Sequence, residues 1–510
     1  MLEFSKLPAL ANDVIALALS IYCSMIIDIK LIMALFPFIQ IIFILLSGID
    51  ASPLANEINA NLRLRQLPTD TISVLSFGAN GVDLKEDSEA FQKAIDEAAI
   101  TSKVLFVPKG NYLIKDVLIR SNSVIVGAGK ESVLQKVYSG IFGLGCNFSY
   151  INPINDPTGK FNVKNISISN LAFKGTSNID GFSEHKHLLN LNGVENVRIS
   201  DCFFYAFNGD AIYIGSDVGV EKHNKNITIN NSYFDGVNKE NRNAISVIDG
   251  SGVNIINNRF FNTTRSTMPG AIDFEPDANF YHVIRDVNIA GNFFNNIGGN
   301  VGAISMFFPL SQQKMKTPVK NITIYRNNME NVAQGIGIFQ KNKAEANGLN
   351  QNIVIAENTV INSKGYPLAM YGTGDVVIEK NFFDLFKTNI FFGLPAKDYQ
   401  TYNILFKKNT LKRNNGDGIG ISLRTVSIFN SEDNIFDDIG MTDGKYGIAI
   451  IGETGGRSEY VKSFRDVLLG DRTTAFTAIN PGHITKEATN QFKKPITQKQ
   501  YINHFPFKKD

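Results

Sequence analysis

Val253-Asn-Ile-Ile-Asn-Asn-Arg-Phe260, Val287-Asn-Ile-Ala-Gly-Asn-Phe-Phe294 and Ile322-Thr-Ile-Tyr-Arg-Asn-Asn-Met329 are one pattern written three times. Its positions read apolar, any, apolar, any, any, polar, any, apolar. The pattern also starts at Ile166, Val197, Ile227, Ile353, Val376 and Ile404, at intervals of about 23 to 35 residues. A fixed-period repeat of this kind specifies a solenoid. The sixth position reads Leu171, Cys202 and Ser232, then Asn258, Asn292, Asn327, Asn358, Asn381 and Asn409. The eighth reads Phe173, Phe204, Phe234, Phe260, Phe294, Met329, Val360, Phe383 and Leu411. In parallel coils each side chain lies about 4.8 Å above its equivalent, so Asn amides bond up the stack and rings pile in the core.

A second strand follows each first one. It reads AIYIG from Ala211, AISVI from Ala244, AIDFE from Ala271, AISMF from Ala303, GIGIF from Gly335 and, less regularly, LAMY from Leu368. Alternation sends the second and fourth residues inward and the third and fifth outward. The outward columns then read Tyr213, Ser246, Asp273, Ser305, Gly337 and Gly215, Ile248, Glu275, Phe307, Phe339.

Composition agrees with a strand-and-turn solenoid: Gly (42) and Phe (38) are abundant and Trp is absent. The formal charge of +2 gives no reason to expect a nucleic-acid partner. Three cysteines, Cys23, Cys146 and Cys202, cannot build a disulfide framework; at most Cys146 and Cys202 pair, and otherwise they are buried thiols. The expected organisation is a signal peptide or membrane anchor over 1–55, an N-terminal cap with a helix over 56–125, a parallel β-helix over 126–460, and a C-terminal coil and tail over 461–510. The tail is more polar and carries Lys493, Lys494, Lys508 and Lys509.

The first segment holds two apolar stretches, Ala9 to Ile27 and Leu31 to Ser47, and reads as a membrane hairpin or as an export signal starting at Met25. It would contact the membrane or the export machinery. The bulk of the chain is therefore expected to be secreted, periplasmic or tethered on the non-cytoplasmic side. In the cap, Asp87 or Ser88 is a natural helix N-cap, and Ala90, Phe91, Ala94, Ile95 and Ala98 form one apolar face.

The stretch VLSFGANGVDLKEDSEAFQKAIDEAAITSKVLFVPKGNYLI, from Val74, resembles the opening of the pectate-lyase-superfamily and polygalacturonase-like right-handed parallel β-helix proteins. The resemblance implies a pectin-lyase-like, all-β solenoid with an N-terminal α/β cap and a polysaccharide or oligosaccharide partner. It does not establish a reaction. The paired aspartates and Gly-His-Gly motif of polygalacturonases are not found, so Asp210 in FNGDAIYIG reads as a turn residue.

Asp273 and Glu275 are the pointed feature. Both project from one wall, with Cα atoms about 6.5 to 7 Å apart by strand rise. Two carboxyls so placed suit glycoside hydrolysis, in which one stays protonated and the other acts as base or nucleophile. Arg242 and Arg265 are candidates to bind an anionic substituent, and Phe307, Phe339 and Tyr371 to stack on sugar faces. Tyr213 and Asp249 are further candidate contacts, and His282 a candidate acid or base. The structural alternative makes the acids solvated, the rings covered by a loop, and the arginines salt-bridge partners.

His185-Lys186-His187 reads as surface, without a third metal ligand. No metal site and no cofactor is expected, and no motif indicates calcium. Rival functions are β-elimination or C5 epimerisation of a uronate, and, from another class, a non-catalytic glycan-binding or adhesion solenoid. Neither the glycan nor the oligomeric state is legible in the sequence.

Overall fold

The protein, seen in a computed structural model, is described over residues 70–493 except 147–161, 217–220, 311–313, 342–350, 387, 395–398, 415–418, 440–445, 452–459, 470–473 and 480–484. The apolar segment expected at 1–55, with Cys23, lies outside the described residues, as do Lys494, Lys508 and Lys509. The fold is a parallel β-helix. Every registered strand pair is parallel, and each strand is bonded to its equivalent one coil away, as Ile227 is to Val253 and Val253 to Val287.

A coil contains three strands rather than two. The eight-position pattern spans a corner: strand Gly250–Ile256 ends before Asn258, and strand Arg259–Phe261 begins after it. The AIDFE-type segments supply the third strand, as in Ile272–Phe274, and those strands form one continuous 13-stranded sheet. Strand Leu368–Tyr371 joins that sheet with Leu368 opposite Ile336 and Tyr371 opposite Phe339, so Pro367 fills the leading position.

The corner explains the Asn column. Residues immediately before it adopt left-handed backbone, including Asn257 at φ 56°, Arg326 at 53°, Glu357 at 55° and Lys380 at 55°. Such a conformation costs a non-glycine residue roughly 1–2 kcal/mol. The ladder offsets it. Asn292 Oδ1 accepts from the backbone N–H (2.9 Å) and the amide Nδ2 (3.1 Å) of Asn258, while Asn292 Nδ2 donates to Ile255 O at 2.8 Å. The same bonds recur at Asn327, Asn358, Asn381 and Asn409, and they run on through Asn434 to Asp466, whose carboxylate accepts the last ones. Behind the ladder, Phe173, Phe204, Phe234, Phe260 and Phe294 stack at 4.7–4.9 Å.

Helix Ser88–Thr101 buries Phe91, Ala94, Ile95 and Ala98. Asp87 stands at its N-cap position without capping it; the carboxylate accepts from Asn80 N at 2.7 Å instead. Cys146 and Cys202 are free, buried thiols. No helix among the described residues is long and apolar enough to cross a membrane.

Asn292→Ala should lower stability by about 2–4 kcal/mol, because it orphans the buried Asn258 N–H and Ile255 carbonyl as well as the amide above. The urea midpoint measures this. Asn254→Ala, on the outer side of the adjoining strand, should change it by less than about 0.5 kcal/mol.

Candidate functional site

The third sheet carries the candidate site because its register is unbroken. Ser246, Asp273 and Ser305 lie opposite one another on three successive strands. Glu275 follows the strand end and continues the pairing through its N–H to Val247 O at 3.1 Å. Asp273, expected on an open wall, is only 1% exposed. Its carboxyl receives Ser305 Oγ–H at 2.9 Å and Asn243 Nδ2–H at 3.2 Å. Burial, and then the negative charge of Glu275, push the Asp273 carboxyl well above its usual range. Burial raises Glu275 too, against the pull of Arg242 and the bond from Asp273. Both carboxyls of the pair are thus pushed toward the protonated form, Asp273 the more strongly. Asp273, shut off from solvent, cannot flank a scissile bond opposite Glu275. Acid and base or nucleophile cannot be divided between these two.

Arg242 organises the groups around the dyad. Its Nη1 donates to both oxygens of Asp210 at 2.9 Å and to Ser246 Oγ at 3.1 Å. Its Nη2 lies 3.9 Å from Glu275, and its Nε 3.5 Å from Glu184. The Asp210 carboxylate holds the guanidinium firmly in its charged form. Asp210, which directly follows a bend, is in addition a fully buried anchor and also takes the Asn243 N–H at 3.1 Å. Arg242 is committed to that anchor and is not a free anion clamp.

A cavity of about 490 Å³ opens beside Glu275. Arg242, Arg265, Glu184, Phe182, Met268 and Phe307 are among its walls. Arg265 lies 3.6 Å above the Phe182 ring, with Glu240 3.6 Å away. Phe307 is 37% exposed on the rim.

Other expected members are elsewhere. Phe339 and Tyr371 stack on each other at 4.2 Å, with Tyr399 against Tyr371, so these rings satisfy one another and do not line the cavity. Tyr213 stacks at 4.4 Å on His187, which is buried rather than on the surface and is pushed down to about 4 by that burial. Asp249 is fully buried and accepts from His223 Nδ1 and from the N–H groups of Asn224 and Val283. His282 is 2% exposed and bonds Ser216 Oγ at 2.9 Å, away from the cavity. Both tie loops together instead of facing a ligand. No group of three or more metal-ligating side chains is present among the described residues.

Residues 71–264 match the family model described as "Rhamnogalacturonase A/epimerase, pectate lyase-like", and residues 316–459 match "Right handed beta helix region". Among solved structures, pre-mature gene product 12 of bacteriophage phi29 gives a TM-score of 0.60 at 16% identity, over 87% of this chain and 59% of that one. The A-module of a mannuronan C-5 epimerase from Azotobacter vinelandii gives 0.52 at 14% identity, over 83% of this chain and 100% of that one. At these identities the likeness is one of fold. The preneck appendage protein of Bacillus phage PZA is 26% identical over 205 residues, 36% of this chain. The match spans only 22% of that phage protein's length.

The raised Asp273 has a stability signature. A folded pKa above the unfolded value of about 3.9 means the native state binds more protons between the two values, so stability falls as pH rises through that window. Asp273→Asn, which keeps an acceptor for Ser305 and a donor for Glu275, should flatten this decline. Urea midpoints from about pH 4 to 8 compare the two proteins.

Proposed function

We propose that the chain is a pectin-lyase-like parallel β-helix protein whose third sheet binds a glycan and hydrolyses it at Glu275. One observation carries the reading: Asp273 is buried, which pushes its carboxyl toward the protonated form, directly behind the carboxyl of Glu275 that faces a cavity. The solenoid does not need an acid there, since Ser246 and Ser305 fill the same register position in the adjacent coils. Burying two carboxyls together is unfavourable without a use for the shared proton.

In this reading a glycosidic oxygen sits against Glu275. The dyad delivers its proton to that oxygen as the C1–O bond breaks, with Asp273 resupplying Glu275. Arg242, fixed by Asp210, stabilises the carboxylate left behind. Arg265, whose ionic partner Glu240 is 3.6 Å away, is the better-placed cation for an acidic substituent on the sugar. Phe182, Met268 and Phe307 supply apolar surface for sugar faces. The chemistry uses side chains and water. An extracellular or periplasmic glycan accords with the apolar segment before residue 56 serving as an export signal or anchor.

Elimination or epimerisation of a uronate requires a base at C5. Among the described residues that line the cavity there is no Lys or His, and Arg242 is held charged by Asp210, so Arg265 is the lining residue left to serve as that base. A purely adhesive wall leaves the Asp273–Glu275 proton unexplained.

Full-length protein incubated with a panel of bacterial and plant polysaccharides should release new reducing ends from at least one. Glu275→Gln should lower kcat on that polymer by about 10²–10⁴-fold. Ultraviolet-absorbing unsaturated products would transfer the assignment to elimination. Retention of glycan without turnover would make the wall a binding surface.

A further inference from the structure

The dyad supplies one proton but not the second carboxyl that glycoside hydrolysis uses to activate water or attack C1. Four other carboxylates stand near it, and three are excluded. Asp210 is fully buried and spent on Arg242 and Asn243 N. Glu240 pairs with Arg265 and does not line the cavity, and Asp277 does not line it either. Glu184 remains. It lines the cavity, its side chain is 54% exposed, and its Oε1 lies 3.5 Å from the Nε edge of Arg242 while Glu275 faces Nη2.

Glu184 reaches the cavity from three coils away in the sheet, since the strand after its loop, His187–Asn192, is separated from Ile272–Phe274 by two others. The loop's path is held by backbone. Ser183 N donates to Asn208 O at 3.2 Å, Gly209 N to Lys186 O at 2.9 Å, and Asn208 Nδ2 to Gly181 O at 2.6 Å. At Gly209 a Cβ would stand 2.8–2.9 Å from the carbonyl oxygens of Lys186, Glu184 and Ser183, so only glycine lets the loop pack this closely. The same loop places Phe182 under Arg265.

We propose that Glu184 is the second catalytic carboxylate, acting on water in the cavity that it lines together with Glu275. The inference rests on the hydrolytic reading above. The step balances with water as co-reactant. The single proton of the Asp273–Glu275 pair passes through Glu275 to the glycosidic oxygen, and the C1–O electron pair leaves with that oxygen. Glu184 takes a proton from water as the water oxygen bonds to C1. The proton gained by Glu184 and the one lost by the dyad are exchanged with solvent, which restores both.

The test uses the polysaccharide from which the wild type releases reducing ends. Glu184→Gln and Glu184→Ala should each lose at least about 10²-fold in kcat. Formate should restore part of the rate to Glu184→Ala alone, and the acidic limb of the kcat/KM profile should disappear in both. Wild-type rates in Glu184→Ala would overturn the assignment while leaving hydrolysis at Glu275 intact. So would a loss that formate does not relieve and that leaves the pH profile unchanged, since that is the behaviour of a positioning residue. Absence of turnover by the wild type on every polysaccharide would instead remove the hydrolytic reading and Glu184 with it.

Discussion

The side-chain amide of the corner asparagine is the interaction on which this molecule depends. Each one accepts from the backbone and the amide of its neighbour in the preceding coil and donates both to a carbonyl of that same coil, as Asn327 does to Ile289 O at 2.8 Å, and to the amide oxygen of the next asparagine, as Asn327 does to Asn358 at 2.9 Å. Turning a chain through left-handed backbone at Arg326, Glu357, Lys380 and Lys408 is unfavourable, and the buried polar groups exposed by the turn would be costlier still if left unpaired. The ladder satisfies them and, in doing so, fixes which residue lies above which. Register is then common to all three faces. A slip of one residue would reverse inside and outside along a strand, exposing the stacked phenylalanines and the isoleucines.

The site follows from that shared register rather than from any local motif. Because the column position is outward, it tolerates a polar group, and Ser246 and Ser305 show its ordinary occupant. Asp273 in the same place is flanked by two hydroxyl-bearing residues and covered by Glu275 and by Asn243, which turns a surface position into a buried one. The neighbouring charges are then arranged by exclusion from water. Asp210 holds Arg242 charged, Arg242 draws in Glu275 and Glu184, and burial, followed by the negative charge of Glu275, pushes the Asp273 carboxyl toward the protonated form.

Periodicity made much of this legible in sequence. The Asn and Phe columns, the inward isoleucines and the outward placement of Asp273 and Glu275 all rest on repetition across coils, which averages out local irregularity. What repetition does not encode was missed. The corner inside the eight-position pattern was hidden because a bend leaves the alternation of apolar residues intact. The burial of Asp273 depends on side chains that meet only in space. Phe182 and Glu184 sit in a loop whose position is set by Gly209 and Asn208, and that loop was read only for His185 and His187. The sequence signal for the role of Asp210 is an aspartate just ahead of one third strand with an arginine just ahead of the next, a pairing that no periodicity marks. Asp249 and His282 illustrate the converse: polar residues near a site in sequence that serve the loops instead.

The central claim is that coil stacking buries a protonated Asp273 behind a cavity-facing Glu275. Infrared difference spectroscopy of the carboxyl stretch at neutral pH tests it directly. The account predicts a protonated-carboxyl band in the wild type that is lost in Asp273→Asn and retained in Asp466→Asn. A spectrum in which Asp273→Asn removes only a carboxylate band, with no loss of protonated carboxyl, would contradict it.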